Sequence, residues 1–451
     1  MMKKWIACLC AAVMLTGMVP FAAGAEDGTK TIGSAEEAEQ FARDLLDGNG
    51  AAWDGKLRMI PAMEEALVPY GGLQGMGTVF AMQTGRAEQT GPAYEQKAGP
   101  YVIYRVPCRF TAKPMDLLVT VQDGVLAGIS FTDYTGKAEE TEENAAFESV
   151  ELAIPVPALN GVLPGTLTLP KGEGPFPAVI LVHGSGPNNR DEAIQSLTPF
   201  RDIAEGLAEK GIAVYRYDKR TYVYGAQMAQ DRGGTLMEET IEDAAAAVQL
   251  LAKQEKIDPE RIFVAGHSLG GMAVPAIDRE LRKAENKARG YILMAAPARG
   301  FDTLLREQYD FLYSLMPEVP EEAQAEKEQL FRELDRLNDP SSLKEDDVIA
   351  GVYAPYWIWM KNYDITGEAE EITAPCLLLQ GEEDYQVTME DFRLWKEAVG
   401  AKENWKLISY PGLVHVFVSG KKEEGAAVYS RTQKVDDRVI GDIAGFVDET
   451  K

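Results

Sequence analysis

The sequence has little cysteine, little histidine and little positive charge, and each shortage removes a class of function. Four cysteines occur in 451 residues, and two of them, Cys8 and Cys10, lie in an apolar leader. The other two, Cys108 and Cys376, fall in different predicted domains, so a disulfide framework is not expected and the fold must be held by its core. No cysteine–histidine pattern with metal-ligand spacing occurs. Acidic residues outnumber basic ones, 71 to 45, giving a net charge of −26. That balance excludes nucleic acid, whose phosphates need a basic footprint, and electrostatic docking on anionic lipid; its plain consequence is solubility. Beyond the leader no run is apolar enough to cross a bilayer, and no internal repeat is visible.

The leader itself has the form of a signal peptide over residues 1–25. Lys3 and Lys4 precede the apolar stretch Trp5–Val19, and Ala23-Gly24-Ala25 meets the small-x-small cleavage rule. A secreted or extracytoplasmic protein is expected, with no integral span in the mature chain; if the leader is kept it serves as an anchor.

Two regions follow. Ser34, with Glu37 three residues on, predicts a capped helix over 35–47. Alternating runs at 101–106 and 116–121 lead to Asp123-Gly124, a hairpin signal ahead of Val125–Phe131. Residues 26–134 therefore read as a small α+β domain, and the acidic, aperiodic segment 135–146 as a linker. From 147 the rhythm changes. Continuous apolar strands at 178–182, 212–217, 262–265, 291–294, 376–379 and 405–409 alternate with helices at 199–210, 236–254, 270–284, 388–399 and 436–449. That pattern predicts an α/β fold over 147–451, a doubly wound, mostly parallel sheet covered on both faces. An acidic, mostly helical insertion at 301–370 without a buried strand is expected as a lid over the strands' carboxyl ends.

The chemistry gathers at those ends. Ile262–Ala265 runs into Gly266-His267-Ser268-Leu269-Gly270 and then a helix. A nucleophilic serine on a sharp strand-to-helix turn needs small neighbours two positions away, so Ser268 is the expected nucleophile. After the first long parallel strand comes His183-Gly184-Ser185-Gly186-Pro187. Such a loop can offer an amide to a substrate oxyanion: Ser185 is the leading donor, Gly184 and Gly186 its neighbours, with the Leu269 amide as second donor. Histidine's scarcity then does the selecting. His183 belongs to that loop and His267 to the serine turn, expected to face away from the reacting side, which leaves His415 as the base. Asp384, Glu382 and Glu383 end a buried strand; Asp384, furthest into its loop, is the leading acid. The order Ser, Asp, His follows. Neither a metal nor an organic cofactor is required.

These residues resemble the α/β-hydrolase superfamily across about 147–451. Within it the chain is similar to secreted bacterial esterases and dienelactone-hydrolase-like enzymes, which carry a His-Gly-Ser-Gly-Pro loop, here 183–187, followed by Arg190-Asp191-Glu192. Tyr217-Asp218-Lys219-Arg220 and Leu379–Val387 look similar as well, but Thr221-Tyr222-Val223-Tyr224-Gly225 replaces the glycine-rich turn usual after the former. The resemblance implies Ser268, Asp384 and His415 as triad, an acyl-enzyme mechanism, a small-molecule ester or acyl substrate, and a preceding small domain of unknown function. A peptidase, thioesterase or acyltransferase shares that triad. A non-catalytic cell-surface protein, tethered to cell-wall polymer by the N-terminal domain, is the contrasting reading. In the insertion, Tyr353–Met360 with its four aromatic residues is expected either to shape a pocket or to pack the lid down.

Overall fold

The computed structural model describes residues 30–450 apart from 85–86, 99–100, 111–114, 135–146, 195–196, 318 and 432. The expected signal segment 1–25 and linker 135–146 lie outside the described residues. Those described form two compact units, 30–134 and 147–450.

In the first unit Ser34 caps the helix Ala35–Leu46 by accepting the Glu37 amide at 3.2 Å. The helix buries Ala38, Phe41, Ala42 and Leu45, one face at 3.6-residue spacing, in a core shared with Tyr104, Val106, Leu117 and Val119. The sheet comprises β1 (Ala87–Thr90), β2 (Tyr94–Ala98), β3 (Tyr101–Phe110), β4 (Met115–Gln122) and β5 (Val125–Asp133), all pairings antiparallel. Asp123 and Gly124 both take positive φ, 50° and 77°, as the twist of a tight hairpin demands. Two helices, Pro61–Leu67 and Leu73–Thr84, and strands β1 and β2 went unread in the sequence. The second helix contains Gly75 and Gly77, which weaken a helical pattern. The reason for Gly77 is tertiary, since a Cβ there would lie 2.2 Å from the Leu45 carbonyl oxygen, whereas Gly75 makes room for the Tyr70 carbonyl just before the helix.

The second unit is built on an eight-stranded sheet. Its strands are β6 (Phe147–Glu151), β9 (Gly165–Pro170), β10 (Phe176–Val182), β11 (Ala213–Tyr217), β12 (Ile257–His267), β13 (Gly290–Met294), β16 (Cys376–Gly381) and β17 (Trp405–Tyr410). A side hairpin is formed by β7 (Ile154–Val156) and β8 (Gly161–Leu163), and a second by β14 (Val348–Ile349) and β15 (Val352–Tyr353). The sheet order is β17-β16-β13-β12-β10-β11-β9-β6, parallel from β17 to β11 and antiparallel where β9 joins. Alternate residues feed opposite cores: Ala178, Ile180 and Val182 of β10 join one, Val179 and Leu181 the other. Both faces are thus dry, which is why the strands read as unbroken apolar runs.

Two elements differ from the sequence reading. The helix expected at 236–254 starts as a π-helical turn, Met237–Ile241, before Glu242–Leu251. The 301–370 insertion has helices Phe301–Ser314, Glu321–Asp335, Ala354–Asn362 and Ile365–Glu370, but it also contains the β14–β15 hairpin, which turns at Ala350 and Gly351 (φ 48° and 79°) and buries Ile349 completely. Two-residue strands are too short to carry an alternation in sequence. The unusual Tyr224 acts locally. Its hydroxyl accepts the Val162 amide and donates to the Val162 carbonyl, at 2.8 and 2.9 Å, pinning the β7–β8 hairpin.

Candidate active site

Four loops at the carboxyl ends of β10, β12, β16 and β17 bring the chemistry together, the edge of a parallel sheet where ligands bind. Ser268 follows β12 and caps the helix Leu269–Lys283. Its backbone is held at φ 53°, ψ −119°, a conformation that costs a non-glycine residue energy and raises the side chain off the turn. The flanking glycines are dictated by contact. A Cβ on Gly266 would meet the Gly270 carbonyl oxygen at 2.2 Å, and one on Gly270 would meet the Val182 oxygen at 2.3 Å. Any side chain at either position would open the turn. Ser268 stays partly exposed, while Leu269, as first residue of its helix, has an amide without an intrahelical acceptor.

His415 sits at the tip of a tight loop after β17, closed by Val414 N donating to Val418 O at 3.0 Å, and its side chain is buried. Its Nδ1 lies 2.7 Å from Asp384 Oδ2. Asp384 is fully enclosed and saturated with hydrogen bonds. Oδ1 accepts the Gln386 and Val387 amides at 2.7 and 3.0 Å, and Oδ2 also accepts Gln380 Nε2 at 3.3 Å. A carboxylate so placed puts the imidazole proton on Nδ1 and leaves Nε2 as a base. The other two carboxylates are engaged elsewhere: Glu382 accepts Ser409 Oγ at 2.8 Å and Glu383 pairs with Lys421 at 2.7 Å. Among the described residues Ser268 Oγ makes no hydrogen bond to His415 and none to its own helix.

The 183–187 loop packs on Ser268, since a Cβ on Gly184 would lie 3.2 Å from Ser268 Cβ. Gly184's amide is already spent on Glu192 Oε1 at 2.6 Å, so it cannot serve an oxyanion. Ser185 is exposed, and its amide enters no backbone hydrogen bond among the described residues. His183 is buried between Phe200 and Tyr217, ring centroids 5.1 and 5.2 Å away, and burial pushes its pKa down to about 4. His267 does not simply face away. Its ring lies 4.7 Å from that of His415, its Nε2 lies 3.1 Å from the His415 carbonyl oxygen, and its Nδ1 lies 2.9 Å from Glu192 Oε2.

The two polar motifs interlock beneath this site. Arg190 binds Asp218 at 3.0 Å; Asp191 pairs with Arg201 and the buried Arg216; Lys219 Nζ donates to the Gly184 carbonyl at 2.7 Å and to Glu239 at 2.6 Å; Arg220 holds Asp243 at 2.6 Å. Together they fix the loop, a role that spacing alone did not disclose. The insertion's aromatics divide. Trp357 is buried and donates to the Ile349 carbonyl at 2.8 Å, so it packs the lid. Trp359 instead lines a cavity of about 460 Å³ with Thr235, Arg279, Tyr363 and Glu368, which none of Ser268, Asp384 or His415 borders. Among the described residues no cluster could hold a metal ion, and no helix is long and apolar enough to cross a membrane.

A family model described as Hydrolase_4, serine aminopeptidase S33, matches residues 175–421, more than half of the chain. The chain belongs to the S33 family. Its second unit has the α/β-hydrolase fold, and this S33 protein is an enzyme, a serine hydrolase. It is 36% identical over 351 residues to the esterase EstD of Thermotoga maritima, spanning 77% of this chain and 80% of that one. Among solved structures, Est1E from Butyrivibrio proteoclasticus shares 18% identity, with a TM-score of 0.43, over 66% of this chain and 98% of its own. A Pyrococcus furiosus esterase also shares 18%, with a TM-score of 0.42, over 67% and 91%.

Proposed function

We propose that this S33-family enzyme cleaves carboxylic esters by an acyl-enzyme mechanism in which Ser268 is nucleophile, His415 base and Asp384 the orienting acid. The observation that carries the reading is an imidazole whose Nδ1 is bound to a buried carboxylate at 2.7 Å, in a sheet edge shared with the strained turn at Ser268. The name of the T. maritima relative, an esterase, supports ester over peptide or thioester as the bond cleaved.

In the first half-reaction Ser268 Oγ attacks the ester carbonyl carbon while its proton passes to His415 Nε2. The carbonyl oxygen becomes an oxyanion facing the amides of Leu269 and Ser185. Collapse expels the alcohol, which takes the proton from His415. In the second half a water gives its proton to His415 and its oxygen to the acyl carbon, and the free acid leaves with Ser268 restored. Asp384 stays ionised and stabilises the imidazolium formed in each half. Oxyanion stabilisation and positioning supply most of the acceleration.

The leader pattern Lys3–Ala25 supports an exported enzyme, which fractionation of cells carrying the full chain checks.

Hydrolysis of p-nitrophenyl esters from acetate to dodecanoate, beside thioesters and amino-acid p-nitroanilides, tests the reaction. Short acyl esters are expected to turn over fastest, and Ser268→Ala to lower the rate at least ~10³-fold. Equal rates for wild type and Ser268→Ala would refute the nucleophile; faster cleavage of the anilides would make the enzyme a peptidase.

A further inference from the structure

One buried carboxylate outside the proposed triad touches two of its supports and reaches a third through one of them. Glu192 is 2% exposed and sits at φ 49°, a left-handed backbone that a glutamate adopts only when its surroundings compel it. Oε1 takes the Gly184 amide at 2.6 Å, holding the loop that carries Ser185. Oε2 lies 2.9 Å from Nδ1 of His267, the residue before the nucleophile. His267 Nε2 in turn reaches the His415 carbonyl oxygen at 3.1 Å. Residues 184, 192, 267 and 415 are thus one chain of polar contacts through the floor of the site.

The protonation of that chain follows from its partners. A backbone carbonyl only accepts, so His267 Nε2 must carry a hydrogen. Nδ1 makes no aligned hydrogen bond to Glu192 Oε2, but the two atoms lie 2.9 Å apart, and a carboxylate that close favours the imidazolium. The groups facing His267 are Glu192, the ring and carbonyl of His415, and the charge of Asp384; His183 faces Glu192 from the other side. Burial works against the charged form of His267, but the Glu192 carboxylate outweighs it and its pKa stands above the ordinary value. Glu192's is lowered by the same pairing against its own burial.

We propose that Glu192 and imidazolium His267 are a positioning pair: His267 holds the base loop by the His415 carbonyl, Glu192 holds the oxyanion loop by the Gly184 amide, and together they set the spacing of base and oxyanion donors about Ser268. This rests on the reading of His415 as base. Neither residue touches substrate. Their effect is on kcat, because the geometry they keep matters in the transition state and not for ground-state binding.

The test uses the full chain with p-nitrophenyl acetate, comparing wild type, Glu192→Gln and Ser268→Ala, with ¹⁵N-histidine NMR of the wild type from pH 6 to 8. Glu192→Gln is expected to lower kcat about 10- to 100-fold with KM unchanged within about 3-fold, the size of effect a small misplacement produces. Both His267 nitrogens are expected to remain protonated through pH 7. If Ser268→Ala is inactive while Glu192→Gln keeps wild-type kcat, the positioning role falls and the triad stands. If Ser268→Ala keeps full activity, the triad falls and the positioning role with it. Should Glu192→Gln fail to fold, the NMR still decides, for a neutral His267 at pH 7 would overturn the charged pair.

Discussion

Tyr363, at the end of an insertion helix, puts its hydroxyl into the hydrogen-bond ladder of the helix Leu269–Lys283 that follows Ser268, bridging Met272 and Ala276. It accepts the Ala276 amide at 3.2 Å and donates to the Met272 carbonyl at 2.8 Å. The helix contains Pro275, which has no amide to donate, and the ladder is open at this turn. The insertion and the helix Leu269–Lys283 are joined by hydrogen bonds that a sliding insertion would have to break.

Tyr363→Phe should therefore lower stability by about 1 kcal/mol, the usual net worth of one buried hydrogen bond. Urea unfolding of the two proteins measures it. An unchanged midpoint would mean that Ala276 and Met272 close on each other without loss.

Asp384→Asn should cost far more in rate than in stability. The amide can keep the fold, yet it favours the wrong imidazole tautomer, and a loss of about 10³- to 10⁴-fold in kcat is expected. Glu382→Gln and Glu383→Gln, whose carboxylates contact Ser409 and Lys421, should stay within about 3-fold of wild type, the size of ordinary surface effects. Steady-state kinetics on p-nitrophenyl acetate separates the three.

Ser185→Pro removes an amide and Ser185→Ala keeps it. If that amide binds the oxyanion, the proline variant should lose about 10²- to 10³-fold in kcat and the alanine variant almost nothing. Comparable losses in both would point to the hydroxyl.

Stability should fall on mild acidification through His183. Its pKa, depressed to about 4 by burial, lies below the unfolded value near 6.5. Between those two values the unfolded chain binds the extra proton, so stability is present above this window and lost as pH drops through it. For one group the loss from pH 7 to pH 5 comes to about 2 kcal/mol. It is read as the difference in urea unfolding free energy between wild type and His183→Asn at each pH. Equal pH dependence in the two proteins would remove His183 from the account.

Much of the architecture was legible because burial leaves a periodic trace. Strands dry on both faces read as apolar runs, and helices between them keep a 3.6-residue stripe, so most core elements of the second unit fell within a few residues of their reading. The elements that escaped lack such a trace. The helix Leu73–Thr84 needs two glycines for close backbone approach, and β14 and β15 are two residues each. Gly77 answers to Leu45 in another helix, while the short hairpin pairs locally with too few residues to show a period.

The sequence by itself determined the chemistry on offer: one serine in a small-flanked turn, three histidines with two tied to motifs, and a trio of carboxylates at a strand end. Tertiary structure alone decided how these are used. It turned Asp384 toward His415 while Glu382 and Glu383 found other partners, it occupied the Gly184 amide with Glu192, and it laid His267 against His415. The reason is physical. Residue types and local backbone demands are written along the chain, whereas a hydrogen bond between residues 31 or 148 positions apart exists only once packing has chosen which groups meet.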